Sequence, residues 1–455
     1  MATRRPADPG VSFAEALRVW VKVALLSFGG PTAQIAVMHR IVVEEKRWVS
    51  EERFLHALNF CMLLPGPEAQ QLATYLGWLL HGWRGGLAAG ALFVVPGFLT
   101  MLALSVAYAG FRGLTLVDAL LFGLKPAVMA IVAHALLRIG GRALRNGTMV
   151  LVAGASFVAV FFLEVPFPML VLAAAGVGLL GGRFLPARFL VAGSHGAAAR
   201  DPRDSPLEVR AAGPPPPFRR SLRVAGIWLF LWLAPLGALA AFLGTGHVLV
   251  QEGAFFSKVA VVTFGGAYAV LAYVAQQAVE VFGWVEPGEM LDGLGMAETT
   301  PGPLILVVEF VGFLGAYRDP GSLPPILAGT LGAIVTTWAT FVPSFLWIFL
   351  GAPYVESLRG KRSLAAALSA ITAAVVGVIL NLALWFSLHT LFGRIDEVRR
   401  LGVRLLVPDV GTLEVASAAL TLAAFLAMFR FRVGMIPTLA GSVVLGAVWR
   451  LVIRG

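Results

Sequence analysis

Charged side chains are scarce in this 455-residue sequence: Asp, Glu, Lys and Arg make up 13% of it, against about 25% in a typical soluble protein. Apolar residues make up 58%. Residues 88–110 and 324–355 carry no charge and are long enough to cross a bilayer core of roughly 30 Å. The composition predicts an all-α polytopic membrane protein, because a β-barrel would show short alternating segments instead.

The sequence also lacks the signatures of soluble enzymes and metal sites. Cys61 is the only cysteine, so neither a disulfide nor a thiolate metal site is available within the chain. The seven histidines show no ligand spacing, and there is no phosphate-binding P-loop or dinucleotide fingerprint. We predict no catalytic residues, no metal and no cofactor. The net charge of +10 lies mostly in short loops and a central linker, which indicates membrane orientation rather than nucleic-acid binding.

The clearest pattern is an internal duplication. A Phe-Gly-Gly triplet, a tryptophan and a Pro-Gly-Pro triplet occur in residues 28–67 and again in residues 264–303. We call these two segments, together with the helices directly before and after them, copy one and copy two. All three landmarks recur at one offset of 236 residues without a gap: Phe28-Gly29-Gly30 with Phe264-Gly265-Gly266, Trp48 with Trp284, and Pro65-Gly66-Pro67 with Pro301-Gly302-Pro303. Such a repeat predicts two homologous halves.

The duplication divides the chain into an N-terminal transporter repeat (1–182), a cytoplasmic Arg/Pro-rich linker (183–223) and a C-terminal repeat with one extra leading helix (224–455). Basic residues cluster at the N-terminus, in the turns of copy one and in the linker, which the positive-inside rule places in the cytoplasm. The extra span then carries the chain outside before copy two begins. We therefore predict an inverted repeat with broken helices and re-entrant hairpins. The basic loop at residues 394–404 is a misfit, because the order of spans assigns it to the outside.

The glycine and proline motifs break helices at membrane depth, where irregular backbone is tolerated only if it lines a cavity or is buried in protein. Helix N-termini freed in this way attract anions. We predict that the hairpin tips meet at the midplane and bind an oxyanion. The candidate residues are Gly29, Gly30, Pro31, Thr32, Gln34, Pro65, Gly66, Pro67, Gln70 and Gln71 in copy one, and Gly265, Gly266, Thr299, Thr300, Pro301, Gly302 and Pro303 in copy two.

Three charged residues lie near these motifs. Glu68 and Glu298 adjoin the Pro-Gly-Pro tips, and intramembrane carboxylates indicate proton or ion relays; the alternative is that they bond neighbouring backbone. Arg40 lies between a tip and the charged turn, where it would either attract anions inward or snorkel to the surface.

Several of these stretches resemble the chromate ion transporter family. They are Ser27-Phe28-Gly29-Gly30-Pro31, Leu64-Pro65-Gly66-Pro67, Gln71-Leu72-Ala73 and the copy-two landmarks. The resemblance covers both halves, as in the two-domain (long-chain) type, and spares the linker. It implies a secondary transporter that exports chromate across the inner (cytoplasmic) membrane, coupled to protons, and gives chromate resistance. Copy two departs from copy one by having Ala267 in the place of Pro31, so we expect one half to dominate anion contact.

Three alternatives remain open. Nothing in the sequence separates chromate from sulfate, so a sulfate or other oxyanion carrier is the nearest one. A membrane-embedded enzyme is the second alternative, and it would need paired catalytic groups on facing helices. A channel is the third, and it would not exchange substrate on one side of the membrane for substrate on the other. We predict that the protein interacts with an oxyanion, protons and the lipid bilayer and does not bind nucleic acid. The sequence leaves open whether the chain forms a homodimer.

Overall fold

The computed structural model describes residues 11–189, 217–264, 266–354, 362–400 and 402–453. Within these ranges the chain forms seventeen α-helices and one β-hairpin. The first eight helices are α1 (Phe13–Leu26), α2 (Gly30–His39), α3 (Glu51–Cys61), α4 (Glu68–Phe111), α5 (Thr115–Ala143), α6 (Gly147–Phe161), α7 (Phe167–Phe184) and α8 (Pro186–Phe189). The others are α9 (Phe218–Leu243), α10 (Val248–Val262), α11 (Ala267–Gln276), α12 (Pro287–Thr299), α13 (Val307–Arg318), α14 (Pro325–Gly351), α15 (Arg362–Leu391), α16 (Val415–Phe425) and α17 (Met435–Val448).

Seven of the described helices are long and apolar enough to cross a membrane. They are Glu68–Phe111, Thr115–Ala143, Phe167–Phe184, Phe218–Leu243, Pro325–Tyr354, Arg362–Leu391 and Met435–Val452. Two shorter apolar helices, Gly147–Phe161 and Val415–Arg430, add to them. The prediction of an all-α polytopic membrane protein is confirmed. The predicted linker lies largely outside the described residues, and α7 and α9 extend into its two ends.

The duplication is visible in the secondary structure. α1 and α2 of copy one are followed by a wide π-helical turn, Arg40–Glu45; α10 and α11 of copy two are followed by the equivalent turn, Gln277–Val281. Arg47 and Gly283, 236 residues apart, both adopt positive φ after these turns. The copies differ after Pro-Gly-Pro: α4 starts at once, whereas α13 follows a 3-10 turn, Leu304–Leu306.

α4 contacts the two copies at two separate points along its length. At its first third, a break in backbone geometry at His81 and Gly82 lies beside the start of copy one, where the His81 ring bonds the Val11 carbonyl at 2.9 Å. At its far end, Arg112 contacts Glu286 at 3.4 Å, at the surface turn of copy two. The helix between these points, residues 83–111, spans about 43 Å, which exceeds the hydrocarbon thickness of a bilayer.

The predicted loop at residues 394–404 is instead part of a β-hairpin, with β1 (Ile395–Arg400) antiparallel to β2 (Val403–Pro408). Arg404 on β2 is largely buried and forms ion pairs with Glu164 at 3.2 Å and Glu280 at 2.9 Å. A hydrogen bond from Arg399 holds the pKa of Glu397 below its usual range. The basic charge that made this segment a misfit is therefore balanced by acids from two other surface turns.

Candidate substrate site

The hairpin tips of the two copies meet through two equivalent backbone hydrogen bonds. The Gly66 N–H donates to the Thr263 carbonyl at 2.9 Å, and the Gly302 N–H donates to the Ser27 carbonyl at 2.8 Å. Gly66 and Gly302 are equivalent positions in the repeat, as are Ser27 and Thr263. Reciprocal contacts of this kind are those of a two-fold relation between the copies.

Backbone conformation explains why glycine is needed at the tip of copy one. Gly66 has φ +119°, a region that residues with a Cβ rarely adopt. A Cβ at this position would lie 2.8 Å from Nε2 of Gln71 and 2.9 Å from Oγ of Ser344. Gly302, its equivalent, has φ +95°. Glycine at position 66 therefore lets Gln71 and Ser344 approach the backbone of the tip closely, whereas the neighbours of Gly302 are the backbone of α4 and Leu306.

A small cavity of about 20 Å³ lies where the tips meet. Its lining combines both copies: Pro31, Gln34, Gly66, Pro67, Glu68 and Ala69 with Thr263, Gly266, Ala267, Pro303, Leu304 and Ile305. This volume holds about one water molecule, so a tetrahedral oxyanion enters only after the tips move apart. The conformation is closed around the cavity.

The helix starts at the cavity have no side-chain cap, as is also true of several starts elsewhere, those of α5, α7 and α14 among them. Side chains do cap the first turns of α1 (Ser12), α3 (Ser50), α10 (His247) and α12 (Glu286). At the cavity, no side chain caps the described starts of α2, α4 and α11. Uncapped first turns leave N–H groups and the positive end of the helix dipole available to an anion.

Three buried carboxamides of copy one stand at these helix starts. Gln34, 1% exposed, lines the cavity and donates from Nε2 to the Gly302 carbonyl at 2.6 Å. Gln71 donates to the Pro65 carbonyl at 2.7 Å and so holds the tip. Gln70 is fully buried, and neither of its side-chain polar atoms has a hydrogen-bond partner among the described residues.

The two predicted acids take different places. Glu68 lines the cavity in the first turn of α4. Glu298 is 1% exposed and accepts a hydrogen bond from the Tyr268 hydroxyl. That hydroxyl would lie 3.8 Å from a Cβ on Gly30, so the pair stands against the start of α2. No group of three His, Cys, Asp or Glu in the described ranges could hold a metal ion.

Other predicted residues lie away from the cavity. Thr32 and Thr299 are exposed, and the hydroxyls of Thr299 and Thr300 donate to carbonyls of their own helix. Arg40 is exposed and lies 3.6 Å from Glu45 in the charged turn. Gly265 lies outside the described residues. Gly29, Pro65 and Pro301 belong to the tips without lining the cavity.

Sequence reasoning missed several residues that the fold brings to the tips. Ser27 and Thr263 immediately precede the two Phe-Gly-Gly triplets, and comparing the copies one residue further upstream would have found them. Tyr268 occupies the copy-two position equivalent to Thr32, so aligning the copies residue by residue would have found it. Ser344, on α14, has no local signal, since its position against Gly66 depends on tertiary packing.

Comparison with known proteins gives consistent matches across both halves. The chromate transporter family model matches residues 14–179 and 250–447. A chromate transport protein of Pseudomonas aeruginosa is 32% identical over 83% of this chain and 82% of its own length. A chromate transport protein of Cupriavidus metallidurans is 28% identical over 82% of each chain. A probable chromate transport protein of Synechococcus elongatus is 29% identical over 82% of this chain and 84% of its own. No solved structure matches the chain significantly.

Proposed function

The chain belongs to the chromate transporter family, and we propose that it is a secondary transporter that exports chromate from the cytoplasm across the inner membrane and so gives chromate resistance. The observation that carries the proposal is the cavity between the two copies, bordered by three uncapped helix starts. Chromate is a tetrahedral dianion, and several converging helix N-termini offer N–H donors and positive dipole ends to such a charge.

Transport requires the closed cavity to open to each side in turn. We propose that the copies form an inverted repeat, in which one copy moves against the other around the tips. The contacts of α4 support this arrangement, because His81 adjoins the surface end of copy one and Arg112 the surface end of copy two. In this topology the N-terminus and the linker are cytoplasmic.

Cysteine labelling from each side of the membrane tests the topology. Lys46 and Val281 lie in the surface turns of copies one and two, and both side chains are exposed. Cysteines introduced at the two positions should react with an impermeant reagent from opposite sides. Cys61 is buried and gives a low background. Labelling of both positions from one side would refute inversion.

Coupling to protons would use the carboxylates near the cavity, the half-buried Glu68 and the buried Glu298. An ionised carboxylate beside the cavity repels a dianion, so its protonation favours anion binding. Sulfate has the same charge and shape as chromate, and it is the alternative substrate that a test must separate.

The decisive experiment is uptake of radiolabelled chromate and radiolabelled sulfate into everted vesicles under an imposed pH gradient. Vesicles with the protein should accumulate chromate above vesicles without it, and unlabelled chromate should compete better than sulfate. The Gly30→Leu variant should insert and fail to transport, because Gly30 has φ +77° and lies at the start of α2. Absence of chromate and sulfate uptake would overturn the proposal, and uptake of sulfate alone would reassign the substrate.

A further inference from the structure

The two copies differ in the polar side chains around the cavity. Copy one places the three carboxamides described above at its helix starts. The equivalent positions in copy two are apolar: Gln34 corresponds to Val270, Gln70 to Leu306 and Gln71 to Val307. Glu68, in the cavity wall, likewise corresponds to Leu304. Among the side chains that line the cavity, copy one supplies the polar Gln34 and Glu68, whereas the Thr263 hydroxyl of copy two already donates to the Val259 carbonyl.

The pair formed by Glu298 and Tyr268 shows the opposite asymmetry. Their equivalents in copy one are Met62 and Thr32, which offer no carboxylate and no phenol. Although both residues belong to copy two, the Tyr268 hydroxyl stands against Gly30 at the start of α2. A carboxylate of copy two thus acts, through a hydrogen-bonded tyrosine, at a helix start of copy one.

We propose, resting on the transport function above, that the two copies divide the reaction. The oxyanion binds off-centre, on the helix starts of copy one with the Gln70 carboxamide as a donor, and Glu298 of copy two carries the coupled proton. Gln34 is a positioning residue, because its bond to the Gly302 carbonyl joins the tips. Gln70 is not part of the cavity wall in this conformation, but it directly follows Ala69 of that wall, and its buried amide has no hydrogen-bond partner among the described residues.

Electrostatics give the sign of the coupling. The positive end of α2 favours either an oxyanion or an ionised Glu298. Neutralising Glu298 removes the competing charge, so proton and oxyanion bind cooperatively, and by linkage each raises the affinity for the other.

The surroundings of Glu298 contain few other charges that act on it. Tyr268 on α11 and Arg138 on α5 are the groups whose hydrogen bond or charge reaches the carboxyl. Other titratable groups packed on α12 have their own partners: Lys125 of α5 and Tyr108 of α4 contact Asp292, and Arg112 of α4 contacts Glu289. Glu309 on α13 and His389 on α15 do not act on the Glu298 carboxyl.

The test is chromate–chromate exchange in proteoliposomes, which needs no proton gradient, measured as KM against pH over a range in which chromate remains the dianion. In the wild type, KM should rise with pH as Glu298 ionises. Glu298→Gln should exchange chromate with a KM that depends less on pH. Glu68 of the cavity wall is the other carboxylate whose ionisation would raise KM, so any pH dependence that remains should disappear in the double variant with Glu68→Gln. Gln70→Leu should raise KM about ten- to hundred-fold, the size of a lost hydrogen bond to a charged group, with the pH dependence kept.

Matched variants separate these roles from folding. Leu306→Met, at the copy-two equivalent of Gln70, and Glu309→Gln, at another buried acid of copy two, should both behave as the wild type. Glu298→Asp keeps a carboxyl and should keep a pH-dependent KM. A wild-type pH dependence in Glu298→Gln would remove Glu298 as the proton carrier, and an unchanged KM in Gln70→Leu would remove copy one as the anion side. A wild type without any chromate exchange would overturn the proposed function instead.

Discussion

Replacement of Gly66 by alanine tests whether the close approach of the two tips is required for transport. An L-residue pays roughly 1–2 kcal/mol in the left-handed region, and Gly66 has φ +119°. The new Cβ would also lie 2.8 Å from Nε2 of Gln71 and 2.9 Å from Oγ of Ser344. Such overpacking costs typically about 1–3 kcal/mol, and moving Gln71 breaks its bond to the Pro65 carbonyl, worth roughly 1 kcal/mol.

The summed cost, roughly 3–6 kcal/mol, falls on one tip rather than on the whole membrane domain. We expect Gly66→Ala to reach the membrane and to lose chromate uptake at least about ten-fold, because the displaced tip weakens the Gly66–Thr263 bond. Gly283→Ala is the matched control: Gly283 has φ +64° but no atom within 4 Å of its Cβ position. It carries the strain without the collision and should transport normally.

The assay compares uptake per unit of inserted protein, with thermal unfolding in detergent as a second measurement. If Gly66→Ala transports as fast as Gly283→Ala at equal insertion, the tips need not approach as closely as the structure has them. If both variants lose transport equally, backbone strain and not contact at the cavity is the cause.

Three further predictions concern ion pairs that lie away from the cavity. Glu289 is fully buried and bonds Arg112 and Arg318, whose side chains are partly exposed, so Glu289→Gln should lower the free energy of unfolding by roughly 1.5–3 kcal/mol. Glu286→Gln, at an exposed side chain, should change it little. Arg404→Ala should lower the free energy of unfolding by roughly 1–3 kcal/mol, whereas Arg400→Ala, at an exposed side chain on the same hairpin, should leave it unchanged. Equal losses in the two variants would show that the ion pairs of Arg404 do not stabilise the hairpin. A hydrogen bond from Arg399 holds the pKa of Glu397 below its usual range. The stability that this carboxylate contributes is therefore present above its unfolded-state pKa and is lost as the pH falls through its folded-state pKa. Glu397→Gln removes this contribution and should flatten the acid side of a curve of Tm against pH.

The class of fold and the broken helices could be predicted from the sequence because both depend on local chemistry. Long apolar runs predict membrane-spanning helices, and glycine and proline motifs predict where those helices are interrupted. The meeting of Gly66 with Thr263 also followed in outline, since two breaks in each copy must be buried somewhere. Hydroxyl donors were harder to assign: which face of a helix looks into the cavity depends on packing, and Thr32 and Thr299 face away from it.

The hairpin of β1 and β2 was missed for a different reason. Its first strand is mostly charged and exposed, so it has none of the alternation that indicates a half-buried strand. Its place is set by Arg404, whose partners Glu164 and Glu280 lie more than one hundred residues away in the chain. Only the folded arrangement of α6, α7 and α11 brings those acids together.

The reciprocal bonds of Gly66 to Thr263 and of Gly302 to Ser27 have a consequence for ancestry. Each copy contributes one donor and one acceptor, as identical subunits do in an isologous dimer. A protein with a single copy could therefore build the same junction by pairing with itself. In the inverted arrangement its two chains would have to insert into the bilayer in opposite orientations. A tandem gene fusion with one added span, α9, would let a single polypeptide assemble that antiparallel pair every time.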